Sequence, residues 1–186
     1  MSGRVGRLIL LNGPPGSGKS TLAQLYVDDH PLALNLDVDR VRDLLGRWRD
    51  HEEAAGLLAR GMALAMARVH LLAGHDVVIP QYLGRLAFIE QVEQLAAETA
   101  ADFHEVVLMD DKESALQRFL ARASTTGLPA HREAQEIVAR DGGVEVLGTM
   151  YDRLVEALSS RPGAKIVRTE DGKVAEAYAA LLAHLS

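Results

Sequence analysis

The sequence predicts a doubly wound α/β domain, a parallel sheet with helices on both faces, and three observations predict it. Short apolar runs alternate with longer stretches of helical spacing along the 186 residues, the pattern of strand and crossover helix. Apolar residues make up 48% of the chain and charged ones 25%, which supplies a core and excludes disorder as a description of the whole. The first apolar run ends in a glycine-rich turn that opens a helix, and in such sheets ligands bind beyond the carboxyl ends of the strands.

Val5–Leu11 reads as the first strand, apolar on both faces and ended by Asn12-Gly13. Helical spacing over Lys19–Asp28 follows, then a strand at Leu32–Leu36 and a helix over Asp39–Trp48. The long helix Glu52–Leu72 carries Met62 and Met66 one turn apart, a spacing that points both into the core. Strands are expected at Asp76–Ile79, Phe103–Met109 and Ala164–Val167, and helices at Arg85–Ala100, Lys112–Ala123, Val144–Leu158 and Lys173–Leu185. Right-handed crossovers then cover the sheet on both sides. Two stretches break the pattern. Ser124–Arg132, with Thr-Thr-Gly-Leu-Pro inside it, reads as an exposed loop, and Asp141-Gly142-Gly143 as a helix stop. The expectation is a single domain over residues 1–186 with a lid at about 122–142, without repeats or a heptad array.

Composition removes several function classes. There is no cysteine, so disulfides and thiolate metal sites are excluded and the cytoplasm is the expected compartment. No purely apolar run approaches the ~18 residues of a membrane span, so no membrane is expected as a partner. A net charge of −6 argues against nucleic acid, which requires a basic surface. The seven histidines form no metal-binding pattern.

Gly13-Pro14-Pro15-Gly16-Ser17-Gly18-Lys19-Ser20 satisfies G-x-x-x-x-G-K-[ST], between a buried strand and a helix. The glycines allow backbone N–H groups to curl around an anion, the helix start adds partial positive charge, and Lys19 adds a full one. Ser20 offers a hydroxyl to Mg²⁺. Gly13, Pro15, Gly16, Ser17, Gly18, Lys19, Ser20 and the following Thr21 are thus the candidate nucleotide-binding residues. The bland alternative is a glycine-rich turn without a ligand.

With this loop in place the sequence resembles the small P-loop kinases, the group that includes zeta-toxin kinases, chloramphenicol phosphotransferase and gluconate-kinase-like enzymes. The resemblance runs along almost the whole chain in segment order and is specific around Leu8–Arg42 and Val106–Arg132. It implies five parallel strands in the order 2-3-1-4-5, MgATP on the loop after the first strand, and phosphorylation of a hydroxyl. Leu36-Asp37-Val38-Asp39-Arg40-Val41-Arg42 resembles the family's D-x-D-x-x-R segment, which makes Asp39 the base toward the acceptor hydroxyl and Asp37 an aid to metal, through water, or to substrate. A carboxylate at a strand's carboxyl edge can orient and deprotonate an attacking hydroxyl. Arg42, three residues on, is a candidate for steadying substrate or phosphate. The alternative for the two acids is helix capping, with Asp37 as N-cap and Asp39 in the first turn.

Arg118 and Arg122 lie at i, i+4 and resemble the R-x-x-x-R pattern whose lid arginines reach across ATP; Arg132 is a third candidate. A planar, permanently charged guanidinium suits that role, while a solvated face paired with glutamates is the alternative. One departure stands out. The third strand runs into Pro80-Gln81-Tyr82 where many P-loop enzymes have a Walker-B aspartate, so Gln81 and Tyr82 become acceptor-site candidates or a plain connection. Val106-Val107-Leu108-Met109-Asp110-Asp111 is a rival Walker-B, set against a capping box from Asp110 to Glu113. His131 is a further candidate substrate contact, and Arg168–Gly172 either borders adenine or is a turn.

The expected activity is therefore an ATP- and Mg²⁺-dependent transfer of the γ-phosphate to a hydroxyl of a small polar molecule: an antibiotic, nucleoside, sugar or nucleotide-sugar. A nucleotide-binding regulator or ATPase switch is the alternative. The absence of an N-K-x-D motif argues against a GTPase, and acidic charge disfavours a polynucleotide kinase.

Overall fold

Strands form where the apolar runs fall and helices fill the intervals: β1 (Arg7–Asn12), α1 (Lys19–Asp29), β2 (Leu34–Asn35), α2 (Val38–Asp43), a 3-10 turn (Trp48–His51), α3 (Glu52–Leu72), β3 (Val77–Pro80), α4 (Leu86–Thr99), β4 (Asp102–Met109), α5 (Lys112–Thr125), α6 (Val144–Ser159), β5 (Lys165–Arg168) and α7 (Val174–His184). The structure is a computed structural model that describes residues 5–125 and 143–186, apart from the side chains of 118, 121–125 and 144. Most of the expected lid at 122–142, with His131 and Arg132, lies outside the described residues. The sheet has the order β2-β3-β1-β4-β5 that the kinase resemblance implies. By contacts the chain forms two compact units. One holds the chain up to Leu11 with Ser20–Gln81 and Leu86–Glu105; the other holds Asn12–Lys19, Tyr82–Arg85 and the chain from Val106 onward.

In the first unit β3 pairs in parallel with β1, Leu8 opposite Val77 through Leu11 opposite Pro80, and with β2 at Leu34 and Asn35. Leu8–Leu11 and Val77–Ile79 are all fully buried, the continuous burial expected of strands covered on both faces. Asp76 anchors the start of β3. Its Oδ1 accepts the Arg7 backbone N–H at 2.9 Å and its Oδ2 accepts the Tyr26 hydroxyl at 2.7 Å. Burial, reinforced by the hydrogen bond to this carboxylate, pushes the Tyr26 hydroxyl up to about 12. Tyr26→Phe leaves the buried carboxylate short of a donor and is expected to destabilise by about 1–2 kcal/mol, a Tm lowering of roughly 2–6 °C. Because the folded-state pKa is raised, the hydroxyl's contribution is full below the ordinary tyrosine value and fades as pH rises through about 12. The gap between variant and parent in thermal unfolding should narrow over that alkaline range. Equal Tm values at pH 8 would remove the hydroxyl from the account.

Three sequence expectations are corrected in this unit. The helix expected over Asp39–Trp48 stops at Asp43. Leu44 caps its end, its N–H turning back to the Val41 and Arg42 carbonyls, and after a left-handed Arg47 (φ 53°) the chain resumes as a 3-10 turn around buried Trp48. The strand expected at Leu32–Leu36 shortens to Leu34–Asn35, with Leu32 exposed in the left-handed region at φ 66°. Finally, α3 turns alanines rather than methionines inward. Ala55, Ala59, Ala63 and Ala67 are at most 3% exposed, whereas Met62 and Met66 are open at 37% and 42%. Trp48–Leu72 also has the length and mean hydropathy, 1.3, of a membrane-crossing segment, the one such stretch among the described residues.

In the second unit β4 and β5 pair in parallel, Val106 opposite Lys165 through Met109 opposite Arg168. Helices α5 and α6 pack through Leu116, Phe119, Leu147 and Met150. Capping was expected from Asp110 to Glu113; the cap is present one residue later. Asp111 Oδ1 accepts the Ser114 N–H at 2.9 Å, and this bond is the main reason that its carboxyl is held below the ordinary aspartate value.

Candidate active site

The phosphate-loop sequence winds into a turn that only glycine permits at its start. Gly13, Gly16 and Gly18 have φ of +152°, +78° and +95°. A Cβ on Gly13 would lie 2.6 Å from Ser17 Oγ and 2.7 Å from the Leu108 carbonyl. Successive turns of this kind make a concave nest of backbone N–H groups, the geometry that takes up phosphate. Ser17 is 4% exposed, and its Oγ has no hydrogen-bond partner among the described residues. A buried hydroxyl without a partner at the heart of the loop fits a bound anion. Lys19 Nζ donates to the Gly13 and Pro14 carbonyls, each at 2.9 Å. Ser20 and Thr21 are exposed on the first turn of α1. Beside the loop is a small, shallow apolar hollow lined by Pro14, Pro15, Leu116, Phe119, Leu147 and Tyr151.

Asn12 is a site residue that sequence reasoning passed over. It is 1% exposed. Its Oδ1 accepts the N–H groups of Gly13 and Leu83 at 2.8 Å each, and its Nδ2 donates to the Leu83 carbonyl at 2.9 Å. One amide thus fixes the first peptide of the loop and the connection after β3. The available signal was a polar residue closing an otherwise apolar strand. Asn12→Ala strands three buried partners, and the expected result is a loss of about 2 kcal/mol in stability with roughly tenfold weaker ATP binding. Thermal unfolding and calorimetric titration measure the two, and unchanged affinity would show that the amide is structural only.

In the first unit, Asp37 caps α2, its Oδ1 accepting the Asp39 N–H at 2.9 Å. Burial pushes the Asp37 carboxyl above its ordinary value, and the adjacent Asp39 charge adds to the effect. The capping alternative is thus realised at Asp37. Asp39 keeps its own carboxylate out of the cap: it is about half exposed and lies 3.1 Å from the Arg42 guanidinium. Arg42 is in turn held over the Trp48 ring at 4.1 Å, with Arg49 over the same ring at 4.5 Å. Stacking on Trp48 holds the Arg42 guanidinium beside the Asp39 carboxylate. At the end of β3, the Gln81 N–H donates to the Leu11 carbonyl at 3.0 Å, and its buried Oε1 has no partner among the described residues.

Tyr82, in the second unit, donates its hydroxyl to the Met150 carbonyl at 3.0 Å, and burial raises its pKa. A Cβ on Gly84 would press on that hydroxyl, which would have to shift to make room. The rival Walker-B acids are engaged locally: Asp111 caps α5, and Asp110 Oδ1 accepts the Asp111 N–H at 2.8 Å. Arg118 and Arg122 are four apart on α5; their side chains, like Arg132, lie outside the described residues.

Among the described residues no group of three or more histidine, cysteine or acidic side chains could hold a metal. Ser20 carries a hydroxyl exposed on the first turn of α1, and so few protein oxygens are compatible with Mg²⁺, which keeps much of its water shell.

Among solved structures, the chain is similar to a gluconokinase from Sinorhizobium meliloti, with a TM-score of 0.63, 16% identity, and coverage of 98% of this chain and 94% of that one. It is similar also to the tunicamycin resistance protein of Deinococcus radiodurans, with a TM-score of 0.58, 17% identity and coverage of 95% of both. At these identities the likeness is one of fold alone, a five-stranded parallel sheet with helices around it. No curated protein matches the sequence. Residues 8–141 match the family model described as an AAA domain, and the chain belongs to that family.

Proposed function

We propose that the chain is an ATP-dependent kinase that transfers the γ-phosphate to a hydroxyl of a small polar molecule such as an antibiotic, a nucleoside, a sugar or a nucleotide-sugar. The observation that carries this reading is the Gly13–Ser20 loop, wound as an anion nest around a buried Ser17 hydroxyl that lacks a partner. Magnesium-bound ATP supplies the phosphoryl group and the ion that offsets its charge. Lys19 and the loop amides from Gly13 to Ser20 hold the β- and γ-phosphates, and Thr21 extends the same helix start. Ser20 ligates the ion, with Asp37 acting through water.

Asp39 takes the acceptor's proton as the new P–O bond forms and the bond to the β-phosphate breaks, so that ADP leaves. Arg42 keeps Asp39 aimed, and Gln81 and Tyr82 border the acceptor. Arg118, Arg122 or Arg132 offsets the charge that develops on the transferred group. All of this belongs to one cytoplasmic kinase domain spanning the chain.

A panel of hydroxylated metabolites and antibiotics, assayed for ADP release, tests the proposal. Release should depend on one class of acceptor. ADP release that is the same with and without every acceptor would overturn the kinase reading in favour of a regulator or ATPase switch.

A further inference from the structure

Helix α3 has two apolar faces and buries only one of them. Ala55, Ala59, Ala63, Ala67 and Leu71 are at most 4% exposed, and the helix packs on α2, α4 and β3. Leu58, Met62, Met66, Val69 and Leu72 remain open at 58, 37, 42, 72 and 66%. Exposed Ala65 lies between them. Positions 58, 62, 65, 69 and 72 are spaced 4-3-4-3, the seam by which one helix packs along another. It runs about 21 Å along the helix and contains no charged side chain. Arg68, beside it, is already paired with Glu98. These exposures leave on the order of 500 Å² of apolar side chain open, comparable to the largest patch of a typical monomer, which is often functional. Paired with itself, the face would cover about 1,000 Å², where specific interfaces begin.

We infer that this seam is the interface of a symmetric homodimer, in which α3 lies antiparallel to α3 of a second copy about a two-fold axis at Ala65. A two-fold interface requires a surface that complements itself, and the order Leu58, Met62, Ala65, Val69, Leu72 does so. Seven residues on either side of Ala65 stand leucines, three and four residues away stand Met62 and Val69, and the smallest side chain falls where two helices would approach most closely. An antiparallel pair also opposes the two helix dipoles and separates the Glu52–Glu53 turns, which a parallel pair would bring together. The inference is independent of the kinase reading.

The cysteine-free chain permits a direct test. Sedimentation at micromolar concentration should give twice the 20.1 kDa chain mass. Ala65→Cys should form an interchain disulfide on mild oxidation, and Leu57→Cys, exposed but off the seam, should not. Leu58→Glu and Val69→Lys replace open side chains, so each should halve the sedimenting mass while leaving the circular dichroism spectrum and ATP affinity unchanged. A parent that is monomeric at all concentrations overturns the inference. So does a dimer that survives both charge variants without an Ala65→Cys crosslink, or a monomer that instead partitions onto phosphatidylglycerol vesicles.

Discussion

Lys19→Ala should weaken MgATP binding by at least two orders of magnitude in calorimetric titration, with acceptor-dependent ADP release lost alongside. The ammonium is the one full positive charge that the loop itself carries, and charge-assisted hydrogen bonds to phosphate are about twice as strong as neutral ones. Losing two of them is worth about 3–4 kcal/mol, or several hundredfold in affinity. The fold should survive, because the two bonds that Lys19 gives to the Gly13 and Pro14 carbonyls are only part-buried. A variant that binds ATP as tightly as the parent would refute the nest as the nucleotide site.

Asp39→Asn should do the opposite: leave ATP affinity within a factor of two or three and reduce phosphoryl transfer by about 10²–10⁴-fold, the usual contribution of a general base. The substitution is nearly isosteric and spares the Asp37 cap, which uses only the Asp39 backbone N–H. The ion pair it removes is largely solvent-exposed on the aspartate side, and such pairs add little to stability. Melting temperature therefore serves as the control. Equal acceptor phosphorylation by the variant and the parent would exclude Asp39 as the base, without touching the nucleotide reading that Lys19→Ala examines.

The alternation of strands and helices was legible because buried parallel strands must be apolar on both faces, so Leu8–Leu11, Val77–Ile79 and Val106–Leu108 stand out from any amphipathic helix. The turn after β1 was legible for a related reason: its glycines fall where the backbone takes positive φ, at Gly13, Gly16 and Gly18. Where two choices are chemically alike, the sequence was silent. Alanine and methionine both count as apolar, so periodicity alone could not tell which stripe of α3 turns inward; that choice depends on how closely neighbouring backbones approach. Nor could a tally of helix formers foresee that α2 would end at Asp43 and leave Trp48, in the next turn, to be stacked by two arginines. The Asn12 clamp depends on Leu83, 71 residues away, a pairing that only the crossover reveals.

On the kinase reading, the hydrogen bonds from the Lys19 ammonium to the Gly13 and Pro14 carbonyls set a threshold for any anion. Any newcomer must evict the chain's own oxygens before it can use that charge. Chloride offers little more than the carbonyls it would displace, whereas a polyphosphate tail presents several charged oxygens together and wins the exchange. On that reading the loop would discriminate by making every ligand compete with the protein itself.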